Sequence, residues 1–249
     1  MVGVTSVTFR QLPAAEIIEL AAKAKLDGIE WGADIHVPPG EVALARRIGA
    51  QTRRAGIRVF SYGSYYRLLE NRDPRAAFAP VLEAAAALGA PMIRIWAGSV
   101  APGQATAETY EQAARELRVL CGMAAGKGIQ VSTEYHRGTL TQDAGSACRL
   151  LRAAACPNLH SYWQPNPDIT KEQNCAELTR MRPWLSNVHV FQWRGNNVRY
   201  LLAEGRYDWP AFLRCAAGAA RHYILEFVKD DSPDCFLKDA GTLKGWLHV

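Results

Sequence analysis

Short runs of β-branched and aromatic residues alternate along this chain with longer stretches whose apolar positions recur at helical spacing. VGVTSVTF at residues 2–9 reads as a strand, and PAAEIIELAAKAKL at 13–26 as an amphipathic helix with Pro13 near its start. DGIEWG at 27–32 is a second short strand, entered through a glycine as helix-to-strand loops often are. The cycle then repeats. Helix 40–55 leads through Gly56 to IRVFSYG, helix 74–88 through Gly89 to MIRIWAG, and helix 106–126 through Gly128 to IQVSTEYH. Helix 141–154, strand LHSYWQ, helix 170–182, strand NVHVFQW, a longer loop, helix 208–220, strand YILEFV and a closing helix from 233 to about 247 complete eight of each.

Strict alternation of strand and helix demands a parallel sheet, because each helix carries the chain back across the sheet face. Eight units of roughly 30 residues fit a closed (β/α)8 TIM barrel better than an open doubly wound sheet. A dinucleotide-binding sheet would place G-x-G-x-x-G after its first strand; SVTFRQLPAAE contains no glycine there, and no Walker-type loop occurs elsewhere. The expected architecture is one α/β domain spanning residues 1–249.

Composition narrows the function classes. Hydrophobic residues make up 49% and charged residues 21%, with no low-complexity tract, as in an ordinary globular protein. The net charge of +5 is spread along the chain, and its densest basic stretch, Arg46 to Arg58, reads as a solvated helix face, so nucleic acid is not an expected partner. Nor is a membrane: no apolar run approaches the roughly 20 residues a span needs. Cys121, Cys148, Cys156, Cys175, Cys215 and Cys235 lack C-x-x-C spacing and follow no signal-like segment, which points to reduced thiols and a cytoplasmic location. Alanine-rich helices, such as residues 81–90, are compatible with a homo-oligomer.

Barrel enzymes build their sites at the carboxyl ends of the strands. Glu134 ends strand five, Gln164 ends strand six, His189 lies on strand seven and Glu226 on strand eight, at separations close to one strand–helix unit. All four are expected to meet across the mouth. Two carboxylates, an imidazole and a further oxygen suit one divalent cation (Mn²⁺, Mg²⁺ or Co²⁺, with Zn²⁺ an option). Such a cation binds adjacent carbonyl and hydroxyl oxygens of a sugar, acidifies the C–H between them and stabilises the enediolate formed when a base takes that proton. Around this set, Glu30, His36 and His136 are candidates for substrate hydroxyls. Trp96, Trp163 and Trp193 are candidates for stacking on a ring, and Arg194 and Arg199 for gripping an acid. In RYDWPAFL, Asp208 reads as a helix N-cap, Pro210 fits the first turn, and Trp209 and Phe212 read as packing residues.

The segments GIEWG, STEYHRGTLT, NVHVFQW, AEGRYDWPAFL and YILEFVKDD, taken in order, resemble the xylose isomerase-like barrel superfamily, in particular its sugar phosphate isomerase/epimerase group. The resemblance implies a metal held by Glu134, residue 164, His189 and Glu226, with the two glutamates also placed for proton transfer on opposite faces of a substrate. Members usually carry Asp at the second of these positions, within D-x-x-H. This chain reads QPNP, and His189 is followed three residues later by Gln192 rather than Asp. A neutral amide oxygen in place of a carboxylate lowers the expected metal affinity by more than an order of magnitude. The implied activity is isomerisation or epimerisation of a sugar-like carbonyl compound. The alternatives are a lyase that eliminates a β-substituent from the same enediolate, and a non-catalytic sugar-binding relative.

Overall fold

Eight parallel strands close into a ring in the computed structural model, which describes residues 1–195 and 198–248. They are β1 (Val2–Thr5), β2 (Gly28–Gly32), β3 (Arg58–Arg67), β4 (Met92–Trp96), β5 (Gln130–Thr133), β6 (Leu159–Trp163), β7 (Leu185–Val190) and β8 (His222–Leu225). The ring closes between β8 and β1, with Tyr223 opposite Val2 and Leu225 opposite Val4. Helices α1 (Ala14–Lys23), α2 (Val42–Arg54), α3 (Pro74–Leu88), α4 (Ala107–Ala125), α5 (Ala144–Ala154), α6 (Lys171–Met181), α7 (Trp209–Ala216) and α8 (Pro233–Leu247) form the outer layer. Gly56, Gly89 and Gly128 all take φ between 68° and 78°, the left-handed turn that ends a helix and starts the next strand. All six cysteines are unbonded thiols. Among the described residues, no helix is long and apolar enough to cross a membrane.

Several boundaries differ from the sequence reading. Strand β1 stops at Thr5, and Ser6–Phe9 turn into a 3₁₀ helix. Strand β3 continues past Gly63 to Arg67, so it overruns the ring. Helix α5 begins at Ala144, where the Asp143 carboxylate accepts the backbone N–H of Ser146 at 2.8 Å. Helix α7 ends at Ala216, and Asp208, although it precedes the helix, makes no side-chain capping bond. Pro210 does sit in the first turn, and Trp209 and Phe212 are buried edge to face with ring centres 5.5 Å apart.

The main core lies between ring and helices, with Ile93 and Ile95 of β4 and Leu88 of α3 fully buried in it. Inside the ring a smaller apolar plug of Phe60, Met92, Tyr162 and Ile224 fills the lower half. A register shift between β2 and β3 pairs Ile29 with Val59 but Glu30 with Ser61, skipping Phe60. That bulge lets the consecutive residues Phe60 and Ser61 both serve the interior, Phe60 in the apolar plug and Ser61 bonded to Glu30 at 2.7 Å in the polar layer above.

Candidate metal and substrate site

The polar layer above the plug is built by side chains from five strands. Glu30 of β2, fully buried, accepts hydrogen bonds from Ser61 of β3 (2.7 Å), Tyr162 of β6 (2.7 Å) and Arg94 Nε of β4 (3.2 Å). Its Oε1 also lies 3.3 Å from Nε2 of His189 on β7. Burial pushes the Glu30 carboxyl up, but Arg94 and His189 outweigh it and hold Glu30 well below the usual carboxylate range. An ionised Glu30 therefore assigns the Nε2 proton to His189 and turns Nδ1 towards the mouth.

At that nitrogen the predicted ligands converge. Nδ1 of His189 is 3.3 Å from Gln164 Oε1, 3.4 Å from Glu226 Oε2 and 3.9 Å from Glu134 Oε1. Donor atoms of Glu134, His189 and Glu226 all lie within 4.8 Å of one another, and all three residues are buried. Neighbouring ligands of a small divalent ion at about 2.1 Å stand roughly 3 Å apart, so the donor set fits one such cation with little closure. The backbone places these groups. Glu134 follows β5 and Glu226 follows β8 by one residue, and their N–H groups still bond across to Ile95 (2.8 Å) and Val190 (3.0 Å) of neighbouring strands.

Burial raises the Glu226 carboxyl; His189 opposes this and Glu134 adds to it, leaving it above the ordinary value. Burial disfavours the charged form of His189, yet Glu226 and Glu30 prevail and raise its pKa. The arrangement is short of positive charge at its centre, which a cation could supply.

Arg94 was not singled out from the sequence. Its guanidinium, 3% exposed, bonds Glu30 through Nε and Glu134 Oε2 through Nη1. It fits because Gly63 of β3 faces it: a Cβ there would lie 2.7 Å from Arg94 Nη2 and 3.1 Å from Glu30 Oε1. The signal was present in MIRIW, since a charged residue in a strand buried on both faces must find a partner inside the barrel.

Above the ligands lies a cavity of about 280 Å³. Among its walls are Arg94, Glu134, Gln164 and Glu226, and also Trp96 and His136, whose rings lie 4.3 Å apart. Phe191, Trp193 and Phe227 form an aromatic side of the cavity, with centroid steps of 4.6 and 5.7 Å. Arg10, Tyr65 and Arg67 complete the rim.

Several expected substrate contacts lie elsewhere. Glu30 is beneath the cavity, bonded to protein on every side. His36 is buried against Trp31 with Nε2 on the carbonyl of Leu12 (3.0 Å). Trp163 alternates with the inward Tyr162 and so faces the helices, where it packs on Phe212 at 5.5 Å. Arg194 bonds the carbonyl of Glu204 (3.2 Å) and lies beside a separate depression of about 200 Å³ with Lys171 and Asp208. Arg199 pairs with Asp231 and covers the Phe227 ring at 4.9 Å, on the outer side of the aromatic wall.

Comparison with known proteins agrees with this fold. Residues 18–234 match the family described as xylose isomerase-like TIM barrel. No curated protein matches the chain in sequence. Among solved structures, the probable 3-DHS dehydratase involved in petrobactin synthesis from Bacillus anthracis superposes with a TM-score of 0.84 at 16% identity, covering 97% of this chain and 98% of that one. D-allulose 3-epimerase from Methylomonas sp. gives 0.76 at 16% identity, with 98% and 97% covered. The 3-keto-D-glucoside 4-epimerase of E. coli gives 0.72 at 16% identity, with 100% and 99% covered. At such identities these likenesses speak for the fold.

Proposed function

The chain belongs to the xylose isomerase-like TIM-barrel family, and on that footing we propose that it is a metal-dependent isomerase or epimerase of a sugar-like hydroxy-carbonyl compound. The observation that carries this reading is the convergence of Glu134, His189 and Glu226 within 4.8 Å, buried at the base of a cavity open to a small polar molecule. Glu134, Gln164, His189 and Glu226 would hold the cation. When bound, a divalent cation of this kind supplies Lewis-acid polarisation of neighbouring carbonyl and hydroxyl oxygens.

The chain's own groups divide the remaining work. Glu226, placed at the base of the cavity beside His189, takes the proton from the carbon beside the carbonyl. Glu134 is fixed through Oε2 by Arg94 and keeps Oε1 free for ligation or for returning a proton on the opposite face. Phe191, Trp193 and Phe227 exclude water from one side, and Trp96 gives the sugar a face to lie on. A cavity of about 280 Å³ is at the small end of ligand sites, which run from about 300 to 1,000 Å³, and suits a single sugar unit.

His136 at the wall favours a second outcome from the same chemistry: with an acid beside a β-hydroxyl, elimination of water competes with return of the proton. The dehydratase among the fold relatives is consistent with that branch. The test is solvent deuterium exchange with the Mn²⁺-loaded protein and a panel of ketoses and keto-acids. Deuterium entering a substrate that keeps its water supports isomerisation, and loss of water selects the lyase. Failure to bind a divalent ion at millimolar concentration would remove the catalytic reading altogether.

A further inference from the structure

Strand β3 is ten residues long, against four to six for the others in the ring, and its extension stands over the mouth. Its side chains alternate there as a strand requires. Tyr66 points outward, buried against Phe78 and bonded to Glu116. Ser61, Gly63, Tyr65 and Arg67 share the inward row: Ser61 holds Glu30, Gly63 makes room for Arg94, and Tyr65 and Arg67 line the cavity. Tyr65 is 39% exposed, and its hydroxyl accepts from Arg10 Nη2 at 2.8 Å. Arg10 is balanced by Asp34. Arg67 is different. Its guanidinium lies 4.0 Å over the Trp96 ring and donates to the Ser99 hydroxyl at 3.1 Å, but among the described residues no carboxylate forms an ion pair with it. A flat guanidinium stacked on an indole at the wall of a cavity is a pre-oriented fork for an oxyanion.

Glu70 accepts from that same Ser99 hydroxyl and so reaches Arg67 only through it. At the other end of the cavity Gln164 brings no charge where an aspartate would. We infer that the substrate itself brings an anion: it is an acidic sugar derivative whose carboxylate or phosphoryl group docks on Arg67 beside the Arg10–Tyr65 pair, while its hydroxy-carbonyl end faces Glu134 and Glu226. This rests on the proposed function for the orientation of the ligand, and on the unpaired guanidinium alone for its charge.

Calorimetric titrations with D-glucitol, D-gluconate and D-glucitol 6-phosphate, each on Mn²⁺-loaded and on metal-free protein, separate the two. At least one acid should bind about tenfold or more tightly than glucitol, the usual worth of one charged hydrogen bond, and whichever acid is favoured names the group. Arg67→Gln should erase the preference while leaving Mn²⁺ affinity unchanged, and Arg67→Lys should restore part of it. Equal binding of glucitol, absence of acid binding to both forms, or a preference that survives Arg67→Gln would overturn the inference. Absence of Mn²⁺ binding would instead strike the proposed function, and the acid preference of the metal-free protein would still be read.

Discussion

Arg94 donates from Nη1 to Oε2 of Glu134 while its Nε holds Glu30 at 3.2 Å, so one buried guanidinium pairs with two carboxylates, one on β2 and one just after β5. The contact ties down one oxygen of Glu134 and leaves the other facing His189. Arg94 thereby sets both the charge beneath the candidate cation site and the direction from which Glu134 faces it.

Removing that guanidinium should be expensive. Arg94→Met leaves two buried carboxylates unpaired, for which about 3–5 kcal/mol is the usual cost, or roughly 10 °C in Tm for a chain of this size. Adding Glu30→Gln should recover part of the loss in a double-mutant cycle, and millimolar Mn²⁺ another part, because each removes uncompensated negative charge. A Tm that does not move in thermal scans of Arg94→Met would show the pair to be dispensable.

Glu226→Gln should abolish deuterium exchange with little effect on folding. The carboxyl is buried and already held above its ordinary pKa, so an amide of the same shape adds no desolvation cost. Tm should shift by only a few degrees. If the variant instead fails to fold, Glu226 has a structural duty that its contacts do not reveal.

Gln164→Asp should tighten Mn²⁺ binding by about tenfold or more, since it adds a third anion at ligand distance to a set that already holds two carboxylates and a neutral imidazole nitrogen. Turnover need not follow, because a more neutralised cation polarises substrate oxygens less. Calorimetry of both forms decides it: identical affinities would mean that residue 164 shapes the rim without touching the metal.

Asp239 offers a prediction away from the site. Its carboxylate, 3% exposed, accepts the backbone N–H of Leu202 at 2.8 Å, and burial, with Glu204 adding to it, raises its pKa to about 6. The folded value lies above the unfolded one of about 3.9, so the folded state holds the proton more firmly. Stability from this group is complete below the unfolded value and is lost as pH rises through about 6. Asp239→Asn keeps the acceptor and removes the charge. It should raise Tm by a few degrees at pH 8 and leave it unchanged near pH 4, as differential scanning calorimetry at the two pH values would show.

The barrel was legible because periodicity and turn chemistry agreed at every unit; helix 74–88 was bounded to the residue by its flanking Asp73–Pro74 and Gly89. The cluster of Glu134, His189 and Glu226 was legible because strand-end positions are fixed by the fold. What spacing alone could not convey was which way each neighbour faced. Trp163 and Gln164 are adjacent, yet one packs among helices and the other reaches His189, and only the register of β6 decides between them. Glu30 and His36 read as rim residues because MIRIW signals that Arg94 needs a buried partner without saying which, and no residue pattern marks the carbonyl of Leu12 as the partner of His36. The length of β3 was also hidden, since SYYR following Gly63 carries no helix signal but passes equally well for a loop.

Gly63 leaves a hole that the side chain of the adjacent strand fills, which makes residues 63 and 94 a lock and its key rather than two independent positions. A Cβ at 63 would crowd the guanidinium and force it to shift, and a short residue at 94 would leave that space unfilled. A lineage moving from this site to one without the arginine does so with least strain by losing Arg94 first and filling position 63 afterwards, because the reverse order puts a methyl group into occupied space. The easier order of steps is thus written into the packing, and an engineer who wishes to change the charge beneath the candidate cation site should vary the two positions together.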